Sequence, residues 1–332
     1  MFKIAVFRAL QLGDILCSMP AVAALKYNYP QAQLYFIGLP HMRPLIERFG
    51  FIDFFVDFPG HPALPEIACD EQELEKFVCQ MQIEQFDLLL QMHGNGTVVN
   101  DFLTGLRAKR LVGFQPSDHS SQDWLAYPTH LHEVDRHLEL MRFLGLEIQN
   151  CSLFYPLFES DWNAYHSIRS RISPPFVIVH VGSRDARRRW PIANFAYLAK
   201  LLLEKKYQVV LTGVAIEQPL VDELLDHLDG RAVSLCGQLG LGTLGCLVKE
   251  ASLLLCNCTG ISHIAAGLAT KSIVLSMDGE PQRWGPKNKA LHKTYDARGA
   301  INLEMLSREI NLLLEHRPPA DSAVQAGSQA SS

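Results

Sequence analysis

The sequence predicts an α/β protein made of two Rossmann-like halves of similar size, and three observations carry that expectation. Short, β-rich apolar runs alternate with longer amphipathic ones, the pattern of βαβ units around a mainly parallel sheet. The alternation begins at the N-terminus and begins again after "ISPP" at 172–175. A chain of 332 residues is also long for one core and suits two.

In the first half, strands are expected near 2–8, 33–37, 52–56, 86–91 and 110–113. Helices fall between them near 14–28, 41–48, 70–82, 97–107 and 132–145. The segment 114–131, "FQPSDHSSQDWLAYPTHL", holds two Pro and many turn formers. It reads as a long loop, a kind that often carries function. The second half opens with a buried strand, "FVIVHVG" (176–182), and a helix, "NFAYLAKLLLEKK" (194–206). "YQVVLTG" (207–213) is the next strand, a helix follows at 217–228, and further strands fall near 232–235, 252–257 and 272–276. An amphipathic helix at 302–316 is expected to cross back onto the first domain when the halves close. The tail 317–332 is too poor in apolar residues to pack. The expected domains are therefore 1–165 and 172–316, joined near 150–175.

Bulk properties exclude several functions. A formal net charge of −5 gives no general field to attract nucleic acid, so any polyanion must be gripped by local positive charge. No apolar run reaches the roughly eighteen residues of a membrane span. The chain enters its first strand without a basic n-region, so no signal peptide is expected. Eight scattered cysteines fit a reducing cytoplasm better than a disulfide framework.

Ligands of such sheets sit beyond the carboxyl ends of the strands, so the loops leaving strands are where chemistry belongs. In the first, "LQLGD", Asp14 opens a helix that Pro20 is expected to bend. Asp is a preferred N-cap, yet a carboxylate at the mouth of a sheet also suits a general base. The two roles conflict, because a helix N-terminus lowers a carboxylate's pKa. In the second, "VGSRDARRRWP" (181–191), Arg184, Arg187, Arg188 and Arg189 crowd one span ahead of Pro191, which is placed to open a helix. Guanidinium groups grip phosphate bidentately and a helix N-terminus adds amide donors, so this is a local anion site. A merely solvated basic loop is the alternative.

The third loop, "LLLCNCTGISHIAAG" (253–267), offers Thr259, the Gly260 amide and Ser262 as donors to a pyrophosphate. His263 fits either a packed or a catalytic role. Cys256 and Cys258 lack the usual CxxC spacing, so no metal is expected. In the fourth, "MDGEPQRWGP" (277–286), Arg283 and Trp284 are suited to contact phosphate or a ring. A weaker candidate is "MHGNGT" (92–97), whose His93 and Asn95 could line an acceptor side. There is no GxxxxGK[ST], no convincing GxGxxG after the first strand and no GxSxG. P-loop NTPases, kinases and α/β-hydrolases therefore lose ground.

Together and in this order, the loops resemble the heptosyltransferases of lipopolysaccharide synthesis, glycosyltransferase family 9. The similarity runs to about residue 315 and rests on "LGDILCSMPAVAALKYNYP", "RRRWPIANFAYLAKLL", "VVLTGVAIEQ", "CTGISHIAAGL" and "GEPQRWGP". It implies a GT-B fold, two Rossmann-like domains facing across a cleft, with the second holding a nucleotide sugar. It further implies metal-independent, inverting transfer of a heptose from ADP-heptose, a substrate and not a cofactor, to a lipid-linked or oligosaccharide acceptor. Such an enzyme would work in the cytoplasm, with weak peripheral contact to the inner membrane of a Gram-negative-type bacterium. By position, Asp14 beside Gly13 matches the family's base, Arg188 the basic residue that holds the diphosphate and Ser183 a hydroxyl residue in the same loop, where Arg184 is a further donor-binding candidate. Glu217 matches a carboxylate at the ribose, while Thr259, Gly260 and His263 match the C-terminal signature. The family's Asp before Thr-Gly is Cys258 here. That departure leaves open another nucleotide sugar, or a relative that binds without turnover.

Overall fold

The computed structural model describes residues 1–315, so the tail expected at 317–332 lies outside the described residues. The first half runs β1 (Lys3–Phe7), α1 (Leu12–Asn28), β2 (Gln33–Gly38), α2 (Arg43–Ile46), β3 (Phe54–Asp57) and α3 (Glu71–Glu84). It continues with β4 (Leu88–Gln91), α4 (Val99–Thr104), β5 (Leu111–Gln115), β6 (Trp124–Ala126) and α5 (Glu133–Phe143). After α6 (Glu159–Ile168) the second half has β7 (Phe176–His180), α7 (Ile192–Glu204), β8 (Gln208–Leu211), α8 (Gln218–His227) and β9 (Val233–Ser234). Then come α9 (Leu241–Glu250), β10 (Leu253–Asn257), α10 (Gly260–Gly267), β11 (Ser272–Ser276), α11 (Pro281–Trp284), β12 (His292–Asp296) and α12 (Leu303–Glu315).

The two six-stranded sheets are parallel and share one topology. Their orders are β3-β2-β1-β4-β5-β6 and β12-β11-β10-β7-β8-β9, so each half follows the doubly wound 3-2-1-4-5-6 pattern. Each sheet reverses direction once, between β1 and β4 and between β7 and β10, and ligands of such folds bind at those switch points. Alternating strand residues serve different cores. Ile4 and Val6 join a large apolar cluster that also contains Ile178, Leu254 and Cys256 of the second half. Ala5 and Phe7 face the other side of the first sheet, and Val177 and Val179 the other side of the second. Helices α1, α5, α6, α9 and α10 fill the shared layer. The two halves are thus joined by continuous core on one side of the cleft.

Several expectations are corrected. The loop expected over 114–131 contains β6, an edge strand pairing Gly113–Gln115 with Trp124–Ala126. Three residues in a polar segment carry no alternation that could reveal a strand. Helix α1 starts at Leu12, so its N-cap is Gln11, and Asp14 occupies the third helical position. Helix α12 packs against α7 of its own half through Leu306, Ile310 and Leu313. Helix α6, which no sequence signal marked, lies within the connecting segment and packs on α9 of the second half.

Candidate active site

Building the site begins with Arg8, the residue that follows β1. It is fully buried, an environment an arginine tolerates only when its donors are met. Its Nε donates to the Asp14 carbonyl at 2.7 Å, Nη1 to the Met92 carbonyl, and Nη2 to Glu133 Oε1 at 3.2 Å. Arg8 therefore ties the exits of β1 and β4 and the start of α1 into one frame. Its Nη2 also stands 3.8 Å from Asp14 Oδ1. The Asp14 side chain remains 28% exposed at the mouth of the sheet. Burial pushes its pKa up and the Glu133 charge adds to this, while Arg8, the Gln11 amide and Arg188 oppose; the balance lies above the ordinary carboxylate value. The helix N-terminus was expected to weaken Asp14 as a base. Desolvation outweighs it.

Glu133, at the first position of α5, is the hub of this frame. Its carboxylate takes Arg136 Nη1 at 2.5 Å, Arg283 Nε at 3.0 Å and Arg8. Burial pushes its pKa up, but His137, Arg8 and Arg136 outweigh that and hold it far below the carboxylate range. Arg283 comes from α11 of the other half, so this pair spans the domains. Lys287 to Asp135 at 2.6 Å and His132 Nε2 against the Gly285 carbonyl at 2.9 Å join the same two segments. Arg283 also lies over the Trp284 ring, whose Nε1 donates to Glu280. Of the two residues expected as ligand contacts, Arg283 joins the halves through Glu133, while Trp284 contacts Glu280, Arg283 and His263 of its own half.

Across the cleft, β7 leads into the arginine loop. Asn257 pins that loop: its Nδ2 donates to the Val181 carbonyl at 2.8 Å and its Oδ1 accepts from the Trp190 amide at 2.9 Å. The four arginines then part company. Arg187 pairs with Asp185, and Arg189 Nε donates to the buried Ser183's carbonyl at 2.9 Å. Arg184 is exposed, and its charge bears on His41 and Glu66 of the first half. Arg188 Nη2 meets Asp278 at 2.5 Å and the Cys258 carbonyl at 3.2 Å, while its Nε is buried without a partner. Glu217 is buried behind this loop, its Oε2 accepting from the Val214 amide at 2.9 Å. Its carboxylate fills the space a Cβ at residue 182 would need, 2.2 Å away, so only glycine fits there.

Helix α10 completes this side of the cleft. Thr259 is its N-cap residue without a side-chain capping bond, and Gly260 opens the helix at the β10 switch point. Here α1 and α10 meet: a Cβ on Gly260 would lie 2.3 Å from Leu12 Cδ2, and one on Gly13 2.9 Å from the His263 ring. His263 is buried in that seam, its Nδ1 3.6 Å from Cys17 Sγ and its ring against Trp284. Burial lowers its pKa to about 4, so it packs as a neutral ring between the halves. His93 is buried, held neutral at about 3, and 3.8 Å from Glu66; one polar atom of each, His93 Nδ1 and Glu66 Oε2, is unpartnered. Asn95 spends its side-chain oxygen on a turn with Thr97. Among the described residues no group of three or more His, Cys, Asp or Glu is arranged to hold a metal ion.

The arrangement therefore sets a carboxylate at one switch point opposite an under-paired arginine and a helix start at the other. The sequence profile of glycosyltransferase family 9 (heptosyltransferase) matches residues 75–311, well over half of the chain. The chain belongs to that family. It is 25% identical over 300 residues to lipopolysaccharide heptosyltransferase 2 of Escherichia coli K12, covering 84% of each protein. Its fold is similar to a glycosyl transferase family 9 structure from Veillonella parvula, with TM-score 0.79 at 17% identity, covering 94% of this chain and 97% of that one. It is also similar to E. coli ADP-heptose lps heptosyltransferase II, with TM-score 0.72 at 19% identity and coverage of 95% and 98%. As a member, this chain is a glycosyltransferase of GT-B architecture.

Sequence reading named Asp14, Arg188, Thr259 and Gly260 by their places at strand ends. It missed Arg8, Glu133, Glu66 and Asp278. Arg8 was visible in "RALQLGD" but read as the end of a strand. Glu133 lay unremarked in the helix expected at 132–145, and Asp278 unremarked inside "MDGEPQRWGP".

Proposed function

We propose that this chain transfers a heptose from ADP-heptose to a lipopolysaccharide core or related acceptor, with inversion and with Asp14 as general base. One observation carries the reading: Asp14, in the first turn of α1, lies at the first switch point, and α1 packs on α10, whose start lies at the second. Relatives of both kinds support it. One is described as a lipopolysaccharide heptosyltransferase, and the other takes ADP-heptose in its name. Arg188 and the start of α10 would neutralise the donor diphosphate, with Ser183, Arg184 and Thr259 around it and Glu217 near the ribose. The acceptor hydroxyl oxygen attacks the anomeric carbon from the opposite side, and the bond to the phosphate oxygen breaks. The nucleoside diphosphate leaves with that electron pair, and Asp14 takes the hydroxyl proton. Charge neutralisation on the leaving group lets a carboxylate serve as base, a step worth roughly 10²–10⁴-fold in rate.

The reading needs no metal, because guanidinium and amide donors supply the neutralising charge. A lipid-linked acceptor would put the enzyme at the cytoplasmic face of an inner membrane, in peripheral contact. No described helix is long and apolar enough to cross a membrane. The test is calorimetric titration of ADP, UDP and GDP into wild type and Arg188→Ala, followed by turnover of Asp14→Asn. ADP alone should bind, Arg188→Ala should lose it, and Asp14→Asn should bind donor normally but transfer about 10²-fold or more slowly. Binding of UDP or GDP in its place would change the donor. Near wild-type transfer by Asp14→Asn would remove the base assignment.

A further inference from the structure

We propose that Asp278 is the residue that positions Arg188 for the donor in this chain. The proposal rests on the reading of Arg188 as the partner of the donor diphosphate. Cys258, whose main chain Arg188 touches, offers it no counter-charge. Its thiol is 3% exposed, and burial, with the Asp278 charge adding, pushes its pKa up to about 12. A neutral thiol balances no guanidinium. Arg188 touches residue 258 only through the main chain, at the Cys258 carbonyl. Its counter-charge comes from Asp278 instead, at 2.5 Å.

The sheet explains how a residue twenty positions away reaches the same spot. Strands β10 and β11 are neighbours, with Asn257 opposite Leu275, and the Cys258 amide donates to the Leu275 carbonyl at 2.9 Å. Their carboxyl ends therefore emerge side by side. A carboxylate shortly after β11 then meets an arginine that lies over residue 258. Asp278 is also built in. Its Oδ1 accepts from Ser276 Oγ at 2.5 Å and from the Glu280 amide at 3.1 Å, leaving Oδ2 for Arg188. Its side chain is 17% exposed, unlike a solvated surface partner. With Nη2 held, Arg188 keeps a buried Nε without an acceptor, a donor suited to a phosphate oxygen.

The experiment is calorimetric binding of ADP, UDP and GDP to wild type, Asp278→Ala, Asp278→Asn, Asp278→Ala with Cys258→Asp, and Arg188→Ala. Thermal unfolding is followed alongside. Asp278→Ala should weaken the nucleotide that wild type binds by about tenfold or more, and adding Cys258→Asp should restore most of the loss. If Asp278→Ala fails to fold, Asp278→Asn, which keeps the shape, carries the comparison. Equal or tighter binding by the Asp278 variants would overturn the proposal, because Asp278 would then only compete with phosphate. Weakened binding that Cys258→Asp does not restore, in a folded protein, would overturn the positioning role, because a carboxylate beside Arg188 would then not be what binding needs. If Arg188→Ala binds like wild type, or no nucleotide binds at all, the donor-site reading itself falls. Loss in Arg188→Ala without loss in Asp278→Ala removes this proposal alone.

Discussion

Two groups of arginines flank the cleft, and they differ in what surrounds them. Arg8 and Arg136, in the first half, are almost wholly buried and share the carboxylate of Glu133. Arg184 and Arg188, in the second, are exposed or half-exposed, and Arg188 keeps an unpartnered Nε. A buried, satisfied arginine is a strut: its charge is already spent on its neighbours. An exposed arginine with donors to spare is a grip. The same side chain thus braces Asp14 in one half and, on the function proposed above, meets the donor in the other.

The most severe way to break this comparison is to take the hub away. Glu133→Ala leaves Arg8 and Arg136 buried without their counter-charge, which should cost about 3–5 kcal/mol of stability. Arg184→Ala should leave stability within about 0.5 kcal/mol. Denaturant unfolding of the two variants checks this, and similar losses would erase the distinction between strut and grip.

Next in size is the seam that holds the two groups face to face. Gly260→Ala drives a methyl into Leu12 at the start of α1. Overpacking of this kind should cost about 1–3 kcal/mol and displace Asp14, lowering transfer as well as the unfolding temperature. Gly50→Ala, where a Cβ meets nothing within 4 Å, is the control. Equal behaviour of the two variants would mean that the halves do not depend on close approach at this point.

The smallest and most gradual effect is on acid stability. Burial lowers the pKa of His137, His263 and His292 to about 4 from an ordinary 6.5. In the unfolded chain each binds a proton near 6.5, in the native protein only near 4. Stability should therefore fall as pH drops from about 6.5 towards 4. Glu133 works in a lower window: its depressed pKa keeps its contribution intact above the ordinary carboxylate value, and the loss comes only as pH falls towards the native one. Unfolding midpoints measured from pH 7 to 4 check the sign, and a flat profile would contradict the neutral, buried state of these rings.

Much of this protein was legible before any coordinates. Alternating apolar runs and their restart at 172–175 specify two parallel sheets, because strand and helix periods are local properties of a few residues. Asp14, Arg188 and Gly260 could be named because strand ends are where ligands of such sheets bind. What remained hidden shares one physical cause: its meaning lies in neighbours far apart in sequence. Glu133 gathers Arg8 from 125 residues before it and Arg283 from 150 after it. Asp278 faces Arg188 only because β10 and β11 lie side by side. Arg283, which looked like a ligand contact, pairs across the halves with Glu133 of α5. The sequence by itself determined which elements form and which loops open on the cleft. Only the tertiary structure decided which charges are already paired there and which are left for a ligand, since pairing depends on distances that chain order does not encode.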